Sequence, residues 1–198
     1  MTRIFIEAKH ANTSESVFIH TLLKYIGIAA DSFEVIHVDG KDNLYKNEIK
    51  FRENTLQGGR NLIIFDADTP ETKCGQEVTR SRIFSTFPKD VVIDGLFLYP
   101  NNVDDGIFEN LLEHLVLKDK HQRFFDCFSD YEHCLGSDYL SPDLKGKLHT
   151  YMSAQKTLSN RQRKDLGSGK WLFDDPQYWN LEAEELKPLK DFLINNIR

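Results

Sequence analysis

The amino-acid sequence predicts an α/β fold: a mainly parallel sheet flanked by helices, followed by a helical carboxyl-terminal extension. Three observations carry that expectation. Short apolar runs alternate with helix-length amphipathic segments from residue 1 to about residue 117; the apolar runs lead into acidic residues; and no convincing strand pattern occurs beyond residue 118. Alternation of this kind implies right-handed crossovers between parallel neighbours.

Thr2-Arg3-Ile4-Phe5-Ile6 is the first strand and runs into Glu7. After a polar loop from Ala8 to Thr13, a helix is expected from about Ser14 to Ile26, with Val17, Phe18, Leu22, Tyr25 and Ile26 toward the core. Phe33 to Val38 is the second strand, ended by Asp39-Gly40. Lys41 to Gln57 reads as a polar, weakly amphipathic helix stopped by Gly58-Gly59. The third strand, Arg60-Asn61-Leu62-Ile63-Ile64-Phe65, is a continuous apolar run of the kind found where both sheet faces are covered, and it stops in Asp66-Ala67-Asp68. A helix within Glu77 to Phe87 and a strand within Val92 to Tyr99 follow. Phe108, Leu111, Leu112, Leu115 and Val116 then recur at the i, i+3, i+4, i+7, i+8 spacing of a helix with one buried face.

Past residue 118 the aromatic series Phe124, Phe125, Phe128, Tyr131 and Leu135 predicts one helix, Leu144 to Met152 another, and Leu186, Leu189, Leu193 and Ile197 a last one. Pro188 falls in the first turn of that segment, where a missing N–H is tolerated. Leu158 to Lys170 is polar, and sets Arg161, Arg163, Lys164 and Lys170 against the single acid Asp165. It reads either as a mobile solvated loop or as a local phosphate patch that contacts nucleic acid. The expected organisation is a core over residues 1–118 with an extension over 119–198 packed on it as one globular unit.

With 198 residues, 40% hydrophobic and 28% charged, the chain is long enough for one well-buried core of ordinary composition. A net charge of −6 argues against a broadly basic, DNA-coating protein. It leaves room for a nuclease that holds phosphate through a local basic patch and a cation. Cys74, Cys127 and Cys134 are odd in number and scattered, which favours a reducing compartment. Without a long apolar segment at the amino terminus or a run of membrane-spanning length, a cytoplasmic protein with no membrane partner is expected.

The acids at the strand ends are the candidate chemistry. In open α/β sheets ligands bind at the carboxyl ends of the strands. Glu7, Asp66 and Asp68 are expected to converge there, the two aspartates on one side if extended geometry persists through Ala67. A third acidic group, Asp104, Asp105 and Glu109, follows the fourth strand across Pro100-Asn101-Asn102. Carboxylates held together repel unless a proton or cation lies between them, and Mg2+, or Mn2+ in its place, is the hard cation suited to them. The competing reading treats each Asp as a turn residue or helix cap. Other motifs are weaker. Gly167-Ser168-Gly169-Lys170 lacks the first glycine of a phosphate loop and has Trp171 where Ser or Thr would hold magnesium. No Gly-x-Ser-x-Gly elbow is present, and His133-Cys134 near Cys127 is more readily incidental than metal-binding.

Glu7 after the first strand, Asp66-Ala67-Asp68 after the third, and Phe97-Leu98-Tyr99-Pro100-Asn101-Asn102 with Gly106 and Glu109 resemble the Toprim superfamily, which includes topoisomerases, bacterial primases, small maturation nucleases and the overcoming-lysogeny-defect nucleases. Together with the segment from Trp179 to Leu193, they look like a Toprim-like family of uncharacterised proteins. The resemblance implies a Toprim/Rossmann-like sheet and Mg2+-dependent phosphodiester hydrolysis or related phosphoryl transfer on nucleic acid. In it Asp66 and Asp68 hold the ion, Glu7 is the general acid/base, and Asp105 or Glu109 holds a second ion or orients water. The usual glycine after the first glutamate is Ala8 here, and Glu15 is a candidate substitute for the Asp that normally follows. Two alternatives stand beside this expectation. One is a non-catalytic module that binds a nucleotide or nucleic-acid end with a protein partner in a defence or repair assembly. The other is a haloacid-dehalogenase-like phosphatase, against which Pro70 and the third-strand position of Asp66 both count.

Overall fold

Four strands, β1 (Thr2–Ile6), β2 (Phe33–His37), β3 (Arg60–Asp66) and β4 (Gly95–Tyr99), form one parallel sheet in the order β2-β1-β3-β4. The structure is a computed structural model and describes residues 1–197. The chain steps from β1 out to β2 and returns to the other side of β1 as β3. Connections therefore leave β1 and β3 in opposite directions, opening a crevice at their carboxyl ends. The fold is α/β as the sequence predicts.

Both faces of the sheet are covered. Ile4 and Ile6 of β1, Leu62 and Ile64 of β3, and Phe97 and Tyr99 of β4 face one core. That core is completed by α1 (Ser14–Tyr25), α4 (Phe108–Leu115), α6 (Leu144–Ser153) and α8 (Lys187–Asn196). Phe5, Ile63, Phe65, Leu96 and Leu98 face a smaller core, closed by Phe51 of α2 (Glu48–Leu56) and Ile83 of α3 (Gln76–Thr86). The two-sided burial explains the uninterrupted apolar run of β3. The helical extension is continuous with the first core: Tyr151, Met152, Trp171, Phe173 and Trp179 belong to the same cluster as Ile4 and Ile64. Phe124 and Phe125 of α5 (Lys118–Leu135) stack their edges and faces against Tyr151, which accounts for the aromatic stripe of that helix. Gly95 lies where α8 crosses β4; an added Cβ would stand 3.0 Å from both Phe192 Cε2 and Leu62 Cδ2.

Two segments depart from the sequence reading. Lys41 to Gln57 is not one helix: Lys41–Asn47 is a 3-10 turn, and α2 starts only at Glu48. The polar stretch around Arg161 is not a bare loop, because α7 (Asn160–Leu166) starts there behind a capping box in which Ser159 and Gln162 satisfy each other's backbone N–H groups. Arg163 is used internally. Its guanidinium donates to Ser153 O at 2.5 Å and Gln155 O at 2.6 Å, tying α7 to the end of α6.

The most buried polar element of the sheet is Asn61, which has no exposed surface. Its amide nitrogen donates to Phe51 O and Val92 O, each at 3.1 Å, and its side-chain oxygen accepts from Asn54 Nδ2 at 2.9 Å. The residue thereby fastens the start of β3 to α2 and to the segment that precedes β4. Asn61→Ala is expected to lower unfolding stability by about 2 kcal/mol, because buried partners are left without a donor or acceptor. Urea denaturation monitored by circular dichroism measures this, and an unchanged midpoint would contradict it.

Candidate functional site

The register of the sheet builds the site. Asp66 is the cross-strand partner of Tyr99, and β1 pairs with β3 from Thr2↔Arg60 to Ile6↔Ile64, so Glu7 emerges beside the end of β3. Pairing sends the Asp66 and Tyr99 side chains from the same face, toward α1 and α4. Asp66 Oδ1 there accepts the Phe108 N–H at 2.7 Å, a carboxylate at the positive start of α4. Glu109, the next residue, is 93% buried, since its relative exposure is 7%. Glu15, in the first turn of α1, accepts the Ala8 N–H at 3.1 Å. Glu7, Glu15, Asp66 and Glu109 thus line one cleft of about 260 Å³, with Lys145 at its mouth 3.7 Å from Glu109 Oε1.

Burial and mutual repulsion perturb these groups. Asp66 is pushed up to about 8, first by loss of hydration and then by the charge of Glu7, with the Phe108 N–H acting in the opposite sense. Burial and the charges of Asp66 and Glu7 hold Glu15 well above the usual carboxylate range. Glu7 is raised by burial, an effect that nearby Lys41 opposes. Among the described residues, Glu7 Oε2 and the Tyr99 hydroxyl are buried with no hydrogen-bond partner. The cluster holds more negative charge than its surroundings neutralise, so a proton or a cation is favoured inside it.

Asp68 is placed differently from Asp66. Ala67 continues toward the other core, but Asp68 adopts φ 60° and its backbone pairs with Gly106, so the extended geometry ends before it. Its carboxylate is bonded to Lys41 Nζ, which also donates to Asp66 O at 2.9 Å and lies 3.8 Å from Glu7 Oε2. Lys41 therefore ties the Asp68 carboxylate to the Asp66 carbonyl and links it to Glu7, whose pKa the Asp68 charge also raises. Asp105 is outside the cleft: it accepts the Gln76 N–H at 2.6 Å as a cap on α3, the structural role weighed for such acids. Asp104 is held by Asn101 Nδ2 at 2.7 Å. Arg161 and Lys164 are exposed, Lys170 stands 3.9 Å from Asp165, and none of the basic quartet lines the acidic cleft.

Among the described residues, no group of three His, Cys, Asp or Glu side chains forms a ready-made metal site. Mg2+ needs less than that, because it is commonly held by one or two carboxylates while water and substrate phosphate fill the other positions. The donor set fits such an ion. It consists of hard oxygens, and one of them, Glu7 Oε2, is buried with no hydrogen bond among the described residues, its nearest cation being Lys41 at 3.8 Å. Lys41, Tyr99 and Lys145 were not signalled by the sequence. Tyr99 could be found only through the β3–β4 register, and Lys41 only through the turn at Asp39-Gly40 that redirects the chain.

The family model for "Protein of unknown function (DUF3226)" matches residues 5–197. The chain belongs to this family. The match begins within β1 and extends past α8, so the strand-end acids and the helical extension are parts of one family unit. No curated protein and no solved structure matches the chain. Among the described residues, no helix is long and apolar enough to cross a membrane.

The raised acids make stability depend on pH. A carboxylic acid whose folded pKa exceeds its unfolded value binds its proton more tightly in the native state, so its stabilising contribution is complete below the unfolded value and lost as pH rises through the folded one. For Asp66 that window runs from 3.8 to about 8. The melting temperature in chelator is expected to fall from pH 5 to pH 8, and Asp66→Asn to flatten the fall. Parallel pH profiles of the two proteins would refute the assignment.

Proposed function

We propose that this protein is a divalent-cation-dependent enzyme of phosphoryl transfer on nucleic acid, a nuclease of the Toprim type, with its site at the β1/β3 crevice. The observation that carries the reading is the convergence of Glu7, Glu15, Asp66 and Glu109 in one cleft at the topological switch point. Their burial and repulsion favour an added positive charge, and the likeness of Glu7 and Asp66-Ala67-Asp68 to the Toprim pattern supports phosphodiesters as the substrate class.

Asp66 would hold Mg2+, with Glu15 and Glu109 as further acids beside it and Glu7 left free for proton transfer; Mn2+ suits the same oxygens. When bound, such an ion supplies charge stabilisation to phosphoryl oxygens and acidifies water. The chain's own residues do the rest. Glu7, with an unpartnered oxygen and a raised pKa, is suited to take a proton from water at neutral pH. The start of α4 orients Asp66 through the Phe108 N–H. Lys41 fixes the Asp66 carbonyl and neutralises Asp68, which takes the part of a charge-balancing residue rather than a direct ligand. That withdrawal of Asp68 also favours a second reading, a module that binds a nucleotide or nucleic-acid end for a partner in a defence or repair assembly.

Purified protein is to be offered single- and double-stranded DNA and RNA with Mg2+ or Mn2+. Cleavage is expected in the wild type, with a loss of about 100-fold or more in Glu7→Gln. Saturating Mg2+ should raise the melting temperature of wild type and Glu7→Gln by binding only the folded state, and leave Asp66→Asn unmoved. Metal-dependent binding of nucleic acid without any cleavage would select the second reading, and no Mg2+ response in the wild type would remove both.

A further inference from the structure

Beside the acidic cleft lies a larger cavity of about 490 Å³, contiguous with it through Thr13, Ser14 and Lys145. Its walls differ in chemistry from those of the cleft. Two helices of full length begin there: α1 behind its cap Thr13, and α6 behind Asp143, whose carboxylate is occupied by the Gly146 N–H at 2.7 Å. The first N–H groups of a helix have no intrahelical acceptor and carry the positive end of its dipole. Lys145 and His149, one turn apart on α6, add basic side chains to the same wall. Asp143 is the one acid there, and Glu109 faces Lys145 from the cleft.

A separate observation points to a ligand. Ser14 is buried, with 6% relative exposure, and lines both cavities, yet the side-chain hydrogen bonds around it, from Ala8 N–H to Glu15, from Ser16 N–H to Thr13 and between Ser16 and His37, leave its hydroxyl without a partner among the described residues. Gly169 lines the cavity as well. Gly169, at φ +74°, packs so closely on α1 that an added Cβ would lie 2.3 Å from both Thr13 C and Ser14 N. The loop after α7 is thereby seated against the start of α1.

We propose that this cavity is a phosphate site, which holds a phosphate of the substrate next to the one that reacts. Ser14 Oγ, those N–H groups at the starts of α1 and α6 that the caps leave unoccupied, Lys145 and His149 supply the donors. The inference rests on the proposed reaction for the role of that phosphate, though its binding requires neither metal nor turnover. Terminal and internal phosphates share this chemistry.

Titration calorimetry with inorganic phosphate in chelator tests it directly. Wild type is expected to bind, Lys145→Ala to bind about tenfold more weakly through loss of a charge-assisted contact, and Ser14→Ala to lose a smaller factor. Asp66→Asn is expected to bind as well as wild type, since its side chain is not among the donors that line this cavity. Lys145 is exposed, so its variant keeps the fold, which the melting temperature checks. A wild type that takes no phosphate overturns the site, as does undiminished binding by Lys145→Ala. Phosphate bound only with Mg2+ and lost in Asp66→Asn alone would overturn it while leaving the metal reading intact; binding in chelator without any Mg2+ response would do the reverse. Oligonucleotides with and without a 5′-phosphate distinguish the two sources: a preference for the phosphorylated end marks a terminal site, equal affinity an internal one.

Discussion

The pairing register across β1, β3 and β4 is the constraint on which the rest of the molecule depends. Because strand side chains alternate, a slip of one residue would exchange the two faces of β3 and send Asp66 toward the apolar side that holds Phe65 and Leu98. Both faces are buried, so such a slip would also place Asn61 away from the groups it satisfies. The polar anchor at one end of the strand and the acidic residue at the other are thus fixed by the same hydrogen-bond ladder. The opposed directions of travel from β1 and from β3 then supply the opening into which the acid projects.

That opening is maintained against its own electrostatics. Glu7, Glu15 and Asp66 all have raised pKa values because hydration is lost and like charges are close. The surrounding apolar packing of Ile4, Ile64, Phe97 and Phe108 stabilises an arrangement that the charges oppose. Natural proteins retain such opposition mostly where chemistry is done, since a site relaxed to its electrostatic optimum has little affinity left for a ligand.

Much of this architecture was readable in the residues. The uninterrupted run from Leu62 to Phe65 and the helical spacing from Phe108 to Val116 mark their elements plainly, because burial on both faces or one face leaves a distinct period. Glu7 and Asp66 were legible for the same reason, each being the polar residue that ends a core strand. Asp105 was not distinguishable from a site acid, since a helix cap and a ligand use the same carboxylate. The fate of Asp68 depended on a single positive φ and on Lys41, which arrives from a different strand connection. α7 had a local signal in Ser159-Asn160-Arg161-Gln162, a capping box whose polar composition resembles a loop.

The seat of Gly169 on Thr13 and Ser14 joins parts of the chain that are far apart in sequence. During synthesis the sheet and its acids emerge early, whereas the segment that closes the neighbouring cavity is made much later. Contacts of such high sequence separation form late in folding, after their loop-closure entropy has been met. A nascent chain stopped before residue 169 would carry the carboxylates without the wall beside them. Assembly of a complete pocket is therefore coupled to completion of the polypeptide, and a truncated product would display the acids without the cavity's full set of contacts.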